Sequence, residues 1–162
     1  MPVGHGLPGA SVDTSLTSVG PGLGSDEMDT GLLTRFDAER ESISVADCRH
    51  PEMPLVYVNS GFERFSGYSR DEVLGRNCRF LQGPKTSKAS VDTMRAAIAS
   101  RTSCLVEIVN YHRDGKQFVN RLSLTPVMDR RGKVAFYIGL QTDVSELRRL
   151  EEKLCEHLHQ IC

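Results

Sequence analysis

Three primary amides stand where apolar side chains are expected. Side chains alternate across a strand, so Val106, Ile108 and Asn110 share one face of a strand-like segment. Phe118, Asn120, Leu122 and Leu124 share a second such face, and Tyr137, Gly139 and Gln141 a third. Each face reads as inward-looking, and each carries one amide. A buried amide without partners costs on the order of 1–3 kcal/mol. The three therefore either satisfy one another or face a polar ligand. An amide donates and accepts at once, which suits a heterocycle alternating C=O and N–H groups. Gly139 lets a flat ring approach the backbone.

Cationic and nucleophilic residues extend this set. Residues 87–100 read as a helix with Val91, Met94 and Ile98 on one face, and Arg95 falls on that face too. Arg79 precedes another apolar pair, Phe80-Leu81. Two arginines aimed inward can clamp a phosphate through bidentate hydrogen bonds. The alternative is that each pairs with a local carboxylate or reaches water. Cys78 lies between Asn77 and Arg79, where an adjacent cation favours thiolate character; the alternative is a small buried hydrophobe. No histidine is near Cys78 in sequence, and hydrolase-elbow, phosphate-loop and H-E-x-x-H patterns are absent. An enzyme is not expected.

These residues need a scaffold. The 162 residues allow one domain with modest extensions. A formal net charge of -1 offers nucleic acid or an anionic membrane no bulk attraction. No apolar run is long enough to span a bilayer and no secretory signal opens the chain, so the expected compartment is the cytoplasm. Five cysteines without C-x-x-C spacing argue against a disulfide framework and a zinc ribbon. Residues 1–25 are rich in Gly, Pro, Ser and Thr, lack aromatics, and are expected to be disordered. Over 26–41, Met28, Leu32, Leu33 and Phe36 recur at helical spacing.

Residues 42–142 read as one compact α+β domain. Strands are expected at 43–47 and 55–58. Ser69-x-x-Glu72 is a capping box opening a brief helix that Gly75 ends. Three antiparallel strands follow the 87–100 helix, turned at Asp114-Gly115 and Arg131-Gly132. That order suggests a sheet with helices on one face. Over 143–162, Asp143 or Ser145 caps a helix. Val144, Leu147, Leu154, Leu158 and Ile161 fall on heptad a/d positions there. The pattern suits a coiled-coil contact; the alternative is a helix packed on its own sheet.

The run Gly75-Arg76-Asn77-Cys78-Arg79-Phe80-Leu81-Gln82-Gly83-Pro84 resembles the signature segment of LOV domains, blue-light-sensing members of the PAS superfamily that bind FMN. Asn110-Tyr111, Asp114-Gly115 and Phe118-x-Asn120 resemble that family's paired-asparagine hairpin, and Tyr137-Ile138-Gly139-x-Gln141 its last strand. The likeness runs over about 42–142. It implies the α+β PAS/LOV fold: a five-stranded antiparallel sheet with helices on one face, plus flanking N- and C-terminal helices. It implies that Cys78 is the photoactive cysteine, bonding reversibly to flavin C4a after excitation while N5 is protonated. Asn77, Gln82, Asn110 and Asn120 would hold the ribityl chain and pyrimidine edge, and Arg79 and Arg95 the phosphate. Gln141 would sense N5 protonation by reorienting its amide. Leu81, Val91, Met94, Ile98, Leu122, Leu124 and Tyr137 would form apolar walls. Ser44 and Ala46 stand on the first strand where many relatives carry Val and Thr, and Met53 where a polar residue is common.

What this resemblance implies is a short LOV photoreceptor without its own output domain. Helices 26–41 and 143–162 would form a homodimer whose geometry or affinity changes in light and is read by a separate protein partner. No nucleic-acid or membrane partner and no metal are expected. One alternative is the sensor fragment of a larger signalling protein. Another is a flavin-binding PAS redox sensor or carrier in which Cys78 takes no part. A metal-binding tail of Cys155, His157, His159 and Cys162 is weighed against chance clustering on a solvated helix, which is preferred.

Overall fold

The structure, a computed structural model, describes residues 30–38 and 41–161. The segment 1–25 expected to be disordered, Met28 and Cys162 lie outside the described residues. The strands are β1 (Ser42–Asp47), β2 (Leu55–Val58), β3 (Cys104–Tyr111), β4 (Gln117–Met128) and β5 (Val134–Asp143). The helices are α1 (Thr30–Ala38), α2 (Ser60–Ser66), α3 (Arg70–Val73), α4 (Lys88–Ser100) and α5 (Ser145–Ile161), with a 3-10 turn at Cys78–Leu81. The sheet is antiparallel in the order β2-β1-β5-β4-β3, so the last strand in sequence is the central one.

Alternation along β1 assigns the two faces of the sheet. Ile43 and Val45 join Leu33, Tyr57 and Phe136 in an outer cluster under α1. Tyr57 fastens that helix by donating its hydroxyl to the Leu33 carbonyl at 3.1 Å. Ser42, Ser44 and Ala46 point the other way, with the amide-bearing faces of β3, β4 and β5. Leu55, Val58, Phe62, Val73 and Leu81 form a second apolar cluster, against which Cys78 packs.

Helix α2 is the element that the sequence pattern does not announce. Its N-cap, Asn59, is fully buried. The Asn59 carbonyl oxygen accepts from the amides of Phe62 and Ile43, both at 2.9 Å. Its Nδ2 donates to the carbonyls of Phe36 at 2.9 Å and Glu41 at 2.8 Å. One side chain thus caps α2 and ties it to β1 and α1. The capping box is present: the Glu72 carboxylate accepts from the Ser69 amide at 2.8 Å. The hairpin at 114–115 is present too, with Gly115 at φ 86, a conformation that favours glycine.

At the C-terminal end, the Asp143 carboxylate accepts from the Ser145 amide at 2.9 Å, and Ser145 Oγ accepts from the Val119 amide at 2.8 Å. Val144 is buried. Glu107 on the outer face of β3 receives Arg121 from β4 and Arg148 from α5, the closest approaches being 3.0 and 2.5 Å. Beyond this anchor α5 leaves the domain. Leu147, Leu154 and Leu158 are 44%, 62% and 55% exposed. A helix packed along its own sheet would have buried them, so that alternative does not describe α5.

Candidate functional site

A cavity of about 380 Å³ lies between the inner face of the sheet, α4 and the turn at 78–81. Its size falls within the range of small-molecule sites. Strand β1 supplies Ser44 and Ala46, β3 Asn110, and β4 Asn120, Leu122 and Leu124. Strand β5 supplies Tyr137, Gly139 and Gln141, and α4 supplies Val91, Met94, Arg95 and Ile98. Cys78, Arg79 and Leu81 come from the turn, flanked by Asn77 and Gln82. Every residue singled out for the site from sequence therefore lines this one cavity.

The three amides divide into two arrangements. Asn120 Nδ2 donates to Asn110 Oδ1 at 2.9 Å. Asn120 is only 1% exposed, yet its own Oδ1 has no partner. Gln141 is satisfied within the protein: Oε1 accepts from Ser42 Oγ at 2.8 Å, and Nε2 donates to Ser44 Oγ at 2.7 Å. Beside it, a Cβ added to Gly139 would lie 2.7 Å from Ser44 Oγ and 2.8 Å from Gln141 Nε2, closer than real Cβ atoms come. The missing side chain keeps that wall flat. An orphan acceptor aimed from β4, with a flat wall on β5, fits a planar heterocycle bearing an N–H group.

The structure decides between two pairs of alternatives about charge. Arg79 and Arg95 do not point inward; their side chains are 61% and 76% exposed at the rim. Arg79 pairs with Glu52 at 2.9 Å, and Arg95 lies 3.9 Å from Asp92. A guanidinium in an apolar interior forfeits its hydration, and each has a carboxylate within reach outside. The second pair concerns Cys78, which packs as a small side chain against the Leu55 cluster. Burial pushes its thiol up to about 12, so it is protonated at neutral pH rather than a thiolate. Arg79, the cation beside it in sequence, is turned out toward Glu52. Asn77 braces the turn: its Oδ1 accepts from the Arg79 amide at 2.9 Å and its Nδ2 donates to the Glu52 carbonyl at 2.7 Å.

The chain matches the PAS domain family over residues 43–146. Over 116 residues it is 48% identical to a blue-light-activated histidine kinase of Rhizobium johnstonii, a match covering 72% of this chain and 34% of the kinase. It superposes on a solved LOV domain studied with a flavin analogue at a TM-score of 0.70, with 35% identity over 82% of this chain and 98% of that one. The chain is a LOV domain of the PAS family. A solved RNA-binding light-oxygen-voltage receptor is similar as well, at a TM-score of 0.73 and 41% identity, covering 82% of this LOV chain and 38% of the receptor. The chain thus spans about a third of the length of the kinase.

Further residues line the LOV cavity that the sequence pattern did not assign to it: Pro51, Met53, Leu55, Ala99 and Ile108. Ile108 was within reach, since it shares a β3 face with Asn110. Met53 was not, because it enters through a left-handed backbone conformation, φ 46, in the β1–β2 connection. Tyr137 also anchors the end of α4, its hydroxyl lying 3.2 Å from the Thr102 carbonyl and 3.4 Å from that of Ala97. Among the described residues no group of three His, Cys, Asp or Glu is placed to hold a metal ion. His157 and His159 each direct Nδ1 to a backbone carbonyl of α5, those of Lys153 and Cys155. No described helix is long and apolar enough to cross a membrane.

Proposed function

We propose that this LOV domain binds FMN in the cavity and senses blue light by forming a reversible bond between Cys78 Sγ and flavin C4a. The observation that carries the reading is Cys78 in the wall of the cavity that also holds the amide set, the flat wall at Gly139 and the unpaired Asn120 Oδ1. Under blue light the bound flavin supplies an electrophilic carbon at C4a and a basic nitrogen at N5. Cys78 then delivers both sulfur and proton, which a thiolate could not do. Burial keeps that proton in place until it is needed. Asn110 and Asn120 hold the pyrimidine edge, the unpaired Asn120 Oδ1 accepting from an N–H there. Asn77 and Gln82, which line the cavity, would hold the ribityl chain. Arg79 and Arg95, at the rim beside Glu52 and Asp92, would hold the phosphate through bidentate hydrogen bonds.

Gln141 carries the signal. It holds its amide in one orientation between Ser42 and Ser44 and would exchange donor for acceptor toward a protonated N5. Gln141 and Asp143 share β5, so the change reaches the cap of α5 within two residues. The exposed leucines of α5 support a homodimer contact whose geometry reports to a separate protein partner, in the cytoplasm. The chain's role is sensing, not catalysis. The test is a set of visible absorption spectra in darkness, after a blue pulse and during recovery. A structured flavin band should bleach to one near-ultraviolet band and return through isosbestic points. Cys78→Ala should keep the flavin and lose the bleaching. Bleaching that survives in Cys78→Ala refutes the mechanism, and flavin that never bleaches in the unaltered protein leaves a redox or carrier role.

A further inference from the structure

Gln141 is gripped from two sides by hydroxyl groups, and the two grips differ in kind. Ser42 donates to its carbonyl oxygen at 2.8 Å; Ser44 accepts from its amide nitrogen at 2.7 Å. All three side chains are buried. Ser42 stands directly across the strand pair from Gln141, whereas Ser44 stands opposite Gly139. Ser44 also lines the cavity, so it can be regarded as part of the binding wall. Ser42 serves Gln141 from the end of β1, and no role in binding accounts for its buried hydroxyl.

A hydroxyl carries one hydrogen and two lone pairs, so it can donate or accept as its rotor turns. If the Gln141 amide turns through 180°, its nitrogen faces Ser42 and its oxygen faces Ser44. Ser42 then accepts and Ser44 donates. Both orientations leave every buried polar atom of the three side chains paired, and no intermediate orientation does. A partner of fixed polarity would satisfy one orientation and penalise the other by about the cost of a lost hydrogen bond.

We infer that Ser42 is a positioning residue for Gln141, forming with Ser44 a hydroxyl cradle in which the amide has two satisfied orientations. The inference rests on the reading of Gln141 given under the proposed function, which it deepens. It also gives the amide a second route out of the site. The residue before Ser42, Glu41, receives Asn59 Nδ2 on its carbonyl at 2.8 Å, and the same nitrogen bonds the Phe36 carbonyl of α1 at 2.9 Å. A continuous path of bonds thus runs from Gln141 through Ser42, Glu41 and Asn59 to the N-terminal helix.

The test compares the unaltered protein with Ser42→Ala and Ser42→Thr, each as purified and in darkness. The readout is hydrogen exchange at the Gln141 side-chain NH₂, followed by nitrogen–proton NMR. Losing one buried hydrogen bond should speed that exchange in Ser42→Ala by about threefold to tenfold. Ser42→Thr, which keeps the hydroxyl, should stay within about twofold of the unaltered protein. The dark-recovery time constant after a blue pulse should move by a similar factor in Ser42→Ala and return in Ser42→Thr. Unchanged exchange in Ser42→Ala, or a threonine variant that behaves like alanine, overturns the inference. If none of the proteins bleaches, the photochemical reading fails, and the exchange rates still decide the cradle. If Ser42→Ala does not fold, Ser44→Ala takes its place, with accelerated exchange expected and unchanged exchange refuting.

Discussion

Replacing Asn110 and Asn120 together by leucine separates what the cavity costs the fold from what it holds. The pair shares one hydrogen bond, from Asn120 Nδ2 to Asn110 Oδ1 at 2.9 Å. Losing it, together with the longer bond from Asn110 Nδ2 to the Val109 carbonyl at 3.3 Å, removes about 1–2 kcal/mol of stability. Against that, Asn120 Oδ1 is buried with no partner. Eliminating an unsatisfied acceptor restores about 1–3 kcal/mol, and two leucines, branched alike but larger, add apolar contact along the cavity wall. The balance favours the double variant by about 1 kcal/mol in protein stripped of flavin. For a chain of this length that corresponds to a melting temperature higher by roughly 2–4 °C. Flavin affinity should move the other way. If three hydrogen bonds to the ligand are lost at about 1 kcal/mol each, FMN binds about 100-fold more weakly. The assays are thermal unfolding of the flavin-free proteins and FMN titration followed by fluorescence. A melting temperature that falls by several degrees would make the pair a structural element. Unchanged FMN affinity would mean that the amides do not face the flavin.

Further expectations are as follows. Burial raises the Cys78 thiol to about 12, so the protonated form dominates throughout the neutral range. The bleaching yield should be flat from about pH 6 to 9, and a step near 8.5, where an ordinary thiol titrates, would contradict this. The Glu107 carboxylate is held below its ordinary range, first by hydrogen bonds from Arg148 and then by those from Arg121. A depressed value stabilises the anchor of α5 above the ordinary carboxylate range and loses it as pH falls through the folded-state value. Glu107→Gln should raise amide exchange over residues 147–151 severalfold at neutral pH, and unchanged exchange would show that the pairs do not hold the helix. Leu154→Glu with Leu158→Glu should shift the sedimenting species toward monomer without altering the flavin spectrum. An unchanged species would remove α5 from the contact.

Where the sequence was legible, one physical constraint acted at a time. Period-2 alternation placed Asn110, Asn120 and Gln141 on inner faces because every neighbour on those faces had to be buried. The turn at Asp114-Gly115 and the box at Ser69-x-x-Glu72 are local chemistry that needs no tertiary context. Helix α2 escaped because it is short and its cap, Asn59, is fixed by partners on β1 and α1 that are distant in sequence. The arginines stayed between two readings for the opposite reason. Their helical and turn positions faced an apolar surface, but long stems carried the guanidiniums out to Glu52 and Asp92. The same displacement removed the cation expected to acidify Cys78. The Ser42–Gln141–Ser44 contacts depend on the pairing of strands at opposite ends of the domain, which no local pattern encodes.

The position of β5 sets an order of assembly. It is the last strand in the chain and the central one in the sheet, and its contact with β1 at Ser42 and Gln141 closes a span of 99 residues. During synthesis β1 and β2 can pair with each other, and β3 with β4, but the two halves have no common seam until residues 134–143 have left the ribosome. Closing so long a span is slow compared with forming a hairpin. The strand that arrives last also carries Tyr137, Gly139 and Gln141, so a nascent chain has half-walls but no chamber. Loading of a ligand therefore waits for residues 134–143 to join the sheet. A chain stopped short of β5 lacks the whole receptacle, and such fragments should retain no binding at all.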